Sequence, residues 1–249
     1  MKNEYTLIMS VIFGLMLIFI LSTSGWAEPE KTPESTTATE VMPPVNNFKI
    51  KYNFDKDGKV VVGPLKESSD WLESDFFRRG KVHVENNTLF LEKGNDMTGV
   101  TWRGPLVRMN YEITLEAMRV DGGDFFCGLT FPVNNDPCSL ILGGWGGTVT
   151  GLSSIDGEDA ANNTTTRSVK FENNTWYKVR LRVYGEKIEA WVDDNRIVNY
   201  VFTGHRISIR WEVEASVPLG IATWQTSGAI RNMEYKALTV KPLDYEVKK

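Results

Sequence analysis

The sequence predicts an all-β fold, a two-sheet antiparallel sandwich. Three observations predict it. Residues 48–240 form a series of short segments in which apolar and polar side chains alternate, the period of a strand with one buried face. Gly-, Asn- and Asp-rich turns separate these segments at regular spacing. Almost no stretch carries helical periodicity. About a dozen such strands make one sandwich with its own core.

The elements follow in chain order. Val82–Glu85 and Thr88–Leu91 form a hairpin across Asn86-Asn87, residues that tolerate positive φ. In the strand Tyr111–Val120, Ile113, Leu115 and Ala117 face one way; Glu112, Thr114, Glu116 and Met118 face the other. Asp121-Gly-Gly-Asp124 turns the chain into Phe125–Phe131, and Ser139–Leu142 follows a turn at Pro132–Pro137. A bend, Gly143-Gly-Trp-Gly-Gly147, leads into Thr148–Ile155, and residues 156–166 form the longest polar loop. Trp176–Tyr184 alternates Lys178, Arg180 and Arg182 with Val179, Leu181 and Val183; Lys187–Val192 and Arg196–Val201 continue the pattern. Ile207–Trp211, Leu219–Trp224 and Ile230–Val240 complete the series. Trp191, between Ala190 and Val192, and Trp224 are expected in the core, where Trp191→Ala would cost about 3–5 kcal/mol.

The N-terminus reads as a secretion signal over residues 1–27. Lys2 precedes the apolar run Leu7–Leu21, which is short for a membrane span, and small residues lead to Ala27. If retained, the run would instead anchor the chain in a membrane. Residues 28–47, rich in Pro, Thr and Glu, are a flexible linker, and 241–249 form a tail. The expected location is secreted, periplasmic or cell-envelope.

The net charge is −4, from 28 basic and 32 acidic residues. Arg78-Arg79 is an isolated pair and no basic block exists, which disfavours nucleic-acid binding. His83 and His205 are the only histidines. With no Gly-x-Ser-x-Gly elbow and no Cys-x-x-Cys pair, neither a nucleophilic triad nor zinc is supported. No cofactor is expected. Calcium is the one metal hinted at, by Asp55-Lys-Asp-Gly58, whose glycine comes too early for a calcium loop, and by Asp156, Glu158 and Asp159.

Cys127 and Cys138 flank the Pro132–Pro137 turn. Export would permit their oxidation, and a hairpin would bring them near one another. The turn lies closer to Cys138, however, so the pair is out of register if the strands are regular. A disulfide and two buried thiols both remain open.

Sugar chemistry leaves clearer traces. Retaining glycosidases place two carboxylates about 5–5.5 Å apart. The laminarinase-type Glu-x-Asp-x-x-Glu signature is absent, and Glu112 and Glu116, on one strand face, stand roughly 13 Å apart at strand rise. Trp145 is different. Four glycines surround it, so its own neighbours cannot bury it. An aromatic on a Gly-rich bend beside a polar loop suits stacking on a sugar ring, and a Trp plugging the end of a sandwich would look the same. Trp102-Arg103 is a second candidate. Asn86, Asn162, Asn163 and Asn173 head Asn-x-Thr sequons, which Asn-rich turns explain equally well.

From about Phe76 to Leu238 the chain resembles the concanavalin A-like, laminin G-like jelly-roll family of 3-keto-disaccharide hydrolase domains. The resemblance rests on Gly80-Lys-Val-His-Val-Glu-Asn-Asn-Thr-Leu, Tyr111-Glu-Ile-Thr-Leu-Glu-Ala-Met-Arg, Trp176-Tyr-Lys-Val-Arg-Leu-Arg-Val and Glu189-Ala-Trp-Val-Asp-Asp. Gly220-Ile-Ala-Thr-Trp and Ile230-Arg-Asn-Met-Glu-Tyr-Lys-Ala-Leu match its closing strands. The resemblance implies a jelly roll and makes Glu116 the match of a family glutamate on the strand before the Gly-rich turn. Where hydrolase-like members carry Asn-Ser-Gly and Tyr-Glu-x-Gln, this chain has Asp124-Phe-Phe-Cys-Gly128 and Ser139-Leu-Ile-Leu-Gly143, and the second glutamate is missing.

The leading expectation is an exported carbohydrate-binding module in which Glu116, Arg103, Asp124 and Asp156 supply hydrogen bonds and Trp145 stacks. On that view Trp145, Glu116 and Arg103 share one sheet face. The rivals are a glycoside hydrolase with Glu116 as acid/base, and a structural module of the envelope.

Overall fold

The computed structural model describes residues 51–53, 71–104 and 106–238. The expected signal (1–27), the expected linker (28–47), Asp55–Gly58 and the expected tail (241–249) lie outside the described residues. The strands are β1 Lys51–Asn53, β2 Trp71–Glu73, β3 Val82–Glu85, β4 Thr88–Leu91, β5 Met97–Trp102, β6 Tyr111–Gly122, β7 Cys127–Val133 and β8 Asp136–Gly144. They continue with β9 Val149–Ser153, β10 Arg167–Ser168, β11 Trp176–Tyr184, β12 Lys187–Val192, β13 Asn195–Val201, β14 Leu219–Trp224 and β15 Thr226–Ala237. Among the described residues the one helix is a 3-10 segment, Trp211–Ser216.

Two stacked sheets result, as the alternation predicts. One runs β13-β12-β11-β6-β15-β4-β3, with β1 pairing in parallel against β15; the other runs β10-β9-β8-β7-β14-β5-β2. All pairings except that of β1 are antiparallel.

The first sheet is two-sided. Along β6, buried Tyr111, Ile113, Leu115 and Ala117 alternate with half-buried Glu112, Thr114, Glu116 and Met118. β11 pairs with β6 in matching phase, so Leu181 meets Ile113 and Val179 meets Leu115. Water on one face and core on the other produce the legible period.

The second sheet is covered on both faces. Every residue of β5 and of β7 is buried. The inward row, which includes Val100, Trp102, Leu129, Phe131 and Ile221, joins the inter-sheet core. The outward row carries a second apolar cluster with Phe76, Met97, Phe125, Ile141, Val213 and Ala222. Loops close over this face because glycines make room. A Cβ on Gly220 would lie 2.6 Å from the Ser216 carbonyl oxygen, and one on Gly128 would lie 3.0 Å from the Phe125 ring.

Three expectations are corrected here, and of the two cysteine alternatives the buried-thiol one is found. Ile207–Trp211 is not a strand. Ile207 forms a single bridge to Ile155, and the chain then enters the 3-10 helix, placing Val213 on the outer cluster. Cys127 and Cys138 form no disulfide; both are free and buried. Cys127 pairs with Leu142 and Cys138 with Phe131, a four-residue offset of roughly 13 Å along the strand. Burial pushes each thiol up to about 12. Trp191 faces outward, because Ile188, Ala190 and Val192 occupy the inward row of β12. Its ring lies 3.8 Å beneath the Arg180 guanidinium. Trp224 is half-buried on the outward row of β14.

Candidate functional site

The covered face of the second sheet contains a cavity of about 220 Å³. Its floor combines Met97 and Trp224, paired across β5 and β14, with Phe125, Ile141, Ser139 and Ser153. Arg210, Glu212 and Val213 form one wall; Asp124 and Trp145 form the lip. The lining is largely apolar with a few polar groups, the usual character of a small-ligand site.

Asp124 and Trp145 are the sequence candidates that the fold brings together. The Asp124 carboxylate accepts hydrogen bonds from the Phe125 amide (2.7 Å) and the Gly146 amide (3.0 Å). Its own amide donates to Thr226 Oγ1 at 3.0 Å. Arg119, buried at the end of β6, donates to the Phe171 carbonyl at 2.6 Å and to Asn173 Oδ1 at 2.7 Å, closing this end of the sandwich. On this frame Trp145 is 42% exposed and has φ 49. A left-handed tryptophan costs about 1–2 kcal/mol and persists only where its surroundings hold it.

The polar wall was not foreseen. Arg210 Nη1 bonds Asp159 Oδ2 at 2.9 Å, and Arg210 Nε bonds Glu212 Oε2 at 3.1 Å. Arg210 Nη2 also bonds Glu212 Oε1. Burial pushes the Glu212 carboxyl up, but the bond and charge of Arg210 outweigh it and hold the group below the ordinary range. Ser139 Oγ and Thr130 Oγ1 share a hydrogen bond of 2.8 Å. Ser153 is 2% exposed, and its Oγ has no partner among the described residues. An unsatisfied buried hydroxyl on a cavity is a ready partner for a ligand hydroxyl.

The other candidates lie elsewhere. Glu116 sits on the outer face of the first sheet, across the sandwich from Trp145. There it accepts from Arg231 Nε at 2.7 Å and Asn232 Nδ2 at 3.2 Å, while the Arg231 guanidinium stacks over Trp176 at 4.0 Å. Burial is the largest single influence and raises its pKa, but these bonds and the Arg231 and Lys178 charges together outweigh it and leave the group lowered. Arg103 follows the end of β5 remote from Met97 and donates to the Val217 carbonyl at 3.4 Å. Asp156 ties two loops, accepting from the Arg206 amide at 2.8 Å and lying 2.7 Å from His205 Nδ1. Asn163, a sequon residue, spends its amide on the Leu152, Glu158 and Asp159 carbonyls. No cluster of three His, Cys, Asp or Glu side chains arranged to hold a metal occurs among the described residues.

A second hollow of about 530 Å³ adjoins the cavity and shares Met97, Glu212 and Trp224 with it. Asp75, Phe76, Phe77, Asp96, Trp211 and Glu214 line its other sides.

Comparison with known proteins supplies a family. The model of the 3-keto-alpha-glucoside-1,2-lyase-like domain matches residues 22–241. No curated protein matches the chain in sequence. Among solved structures, the chain is similar to carbohydrate-binding module CBM66 from Bacillus subtilis, with 10% identity, 68% of this chain and 96% of that chain covered, and a TM-score of 0.48. It is also similar to a putative glycosyl hydrolase from Parabacteroides distasonis ATCC 8503, with 11% identity, coverage of 69% and 89%, and a TM-score of 0.42. The Emp46p carbohydrate recognition domain, Y131F mutant, matches with 12% identity, coverage of 80% and 100%, and a TM-score of 0.48.

Proposed function

Because the chain belongs to the 3-keto-alpha-glucoside-1,2-lyase-like domain family, we propose that it is an exported carbohydrate-binding module whose site is the covered outer face of the second sheet. The observation that carries the reading is Trp145. It is a tryptophan in a strained backbone conformation, pinned by the Asp124 carboxylate and held half in water at the lip of a cavity. Strain of this kind is retained where it serves a site. The ring offers an apolar platform for the C–H face of a sugar. Ser139, Ser153 and the Arg210–Glu212 pair offer donors and acceptors for its hydroxyls.

The alternation of Gly-rich turn and cavity suits binding more directly than catalysis. Both Glu212 oxygens are engaged by Arg210, which leaves that carboxylate a positioning group. The test is a broad glycan array probed with the full chain and with Trp145→Ala. Binding that the substitution abolishes supports the reading. Absence of binding to every glycan, or binding indifferent to Trp145, overturns it.

A further inference from the structure

We infer that the site takes a linear glycan of at least two consecutive sugar units free of acidic groups, one in the cavity beside Trp145 and the next in the larger hollow between Trp211 and Phe77. The inference rests on the carbohydrate reading and adds length and charge to it.

The two hollows are parts of one groove. Met97, Glu212 and Trp224 line both, so the hollows adjoin and a chain seated in one is brought to the edge of the other. The far hollow has its own exposed aromatics. Trp211 is 79% and Phe77 is 75% exposed, and both line that hollow. Trp211 opens the 3-10 helix, whose buried residues are Val213 and Ser216, so its ring stays on the solvent side. Two large apolar side chains left in water around one concavity mark a contact surface. Sugars fit them better than a flat apolar partner does, because the walls between them are carboxylates.

Those carboxylates set the charge. Asp75, Asp96, Glu212 and Glu214 line the far hollow, and among the described residues no basic side chain does. Arg210 neutralises Glu212, and Arg79 approaches Asp75 at 3.8 Å. The Asp96 carboxylate accepts from side-chain amides, Asn95 Nδ2 at 3.1 Å and Gln225 Nε2 at 3.3 Å. The hollow therefore presents acceptors and negative potential. Sugar hydroxyls donate to such groups, whereas sulfate or uronate groups are repelled. At the near end, the buried and unpartnered Ser153 Oγ supplies an independent polar anchor.

The experiment is calorimetric titration of the full chain with α-linked and β-linked gluco-oligosaccharides of one to six units, and with heparin and oligogalacturonate fragments as acidic probes. Affinity is expected to rise roughly tenfold from one unit to three, the scale of one aromatic contact. Trp211→Ala should remove that rise and leave monosaccharide binding and the melting temperature unchanged, whereas Trp145→Ala should weaken binding at every length. The Asp96→Asn, Glu214→Gln double variant should admit the acidic fragments. Binding independent of length, a Trp211→Ala variant that keeps the rise, or preferential binding of acidic fragments to the unaltered chain overturns this inference while leaving the carbohydrate reading intact. No binding at any length, together with no binding on the glycan array, overturns both.

Discussion

The Asp124 carboxylate meets the Gly146 amide at 3.0 Å, and this bond, with the Gly147 amide on the Gly144 carbonyl at 3.1 Å, holds the bend that carries Trp145. One residue thus helps to orient another that it does not touch through its ring. The Asp124 bond spans 22 positions of sequence and joins the entry of β7 to the turn after β8.

Trp145→Gly should leave stability within about 1 kcal/mol of the original. Relief of about 1–2 kcal/mol of left-handed strain is offset by the chain entropy of glycine, about 0.5–1 kcal/mol, and by lost contacts at the lip. Glycan affinity should fall roughly tenfold or more. Urea unfolding and titration measure the two effects separately. A stability loss above about 2 kcal/mol would show that Trp145 is a plug rather than a platform.

Asp124→Ala removes the acceptor for two backbone amides, those of Phe125 and Gly146. The expected cost is about 2 kcal/mol. Affinity should drop with the bend, and Asp124→Asn should recover part of both, because its amide oxygen still accepts one bond. Equal loss in the Asn and Ala variants would count against the positioning role.

Trp191→Ala should cost about 1–2 kcal/mol, the loss of a half-buried ring stacked on Arg180. Phe131→Ala, within the inter-sheet core, should cost about 3–5 kcal/mol. Paired denaturant curves compare them directly, and similar losses at both positions would contradict the outward placement of Trp191.

Cys127 and Cys138 should resist thiol reagents in the native protein. Both are buried, and desolvation pushes both thiols up to about 12, so the reactive thiolate is scarce at neutral pH. Titration under denaturing, non-reducing conditions should release two thiols. A mass shift on reduction would reveal a disulfide instead.

Glu116 should contribute to acid sensitivity. Burial is the largest single influence and raises its pKa, but the bonds from Arg231 and Asn232 and the Arg231 charge together leave the folded value lowered. Such a group adds stability above its unfolded pKa, about 4.3, and loses it as pH falls through the lower folded value. Between about pH 5 and pH 3 the original protein should lose about 0.5–1 kcal/mol more than Glu116→Gln. At about 1 M salt, where screening acts within about 3 Å, that difference should shrink. Urea midpoints across the pH series measure it.

The first sheet was legible because water reaches one of its faces. Ile113, Leu115 and Ala117 could be told from Glu112, Thr114 and Glu116 by period alone. β5 was not legible, since all of Met97–Trp102 is buried and alternation vanishes when both faces are covered. Ile207, Ile209 and Trp211 imitated a strand because Ile207 and Ile209 pack downward from a covering segment, while Trp211 points away. Trp145 stood out through its glycines. Arg210, Glu212 and Ser153 did not, for their meaning arises only when β9, β14 and the 3-10 helix converge. Phe77 and Trp211 carried no signal, because a hydrophobic residue in a loop reads as core until its exposure is known.

The separation of the two apolar clusters has a dynamic consequence. The groove floor belongs to the outer cluster, and the covering segment 209–217 packs on that cluster through Ile209, Val213 and Ala215, so it should open while the sandwich stays closed. Local openings of this kind require far less free energy than global unfolding. Amide hydrogens under that segment should exchange with solvent ahead of those in β6 and β11, and a bound ligand should slow the first group alone. The proposed binding face would then breathe on its own clock, with no loosening of the frame that carries it.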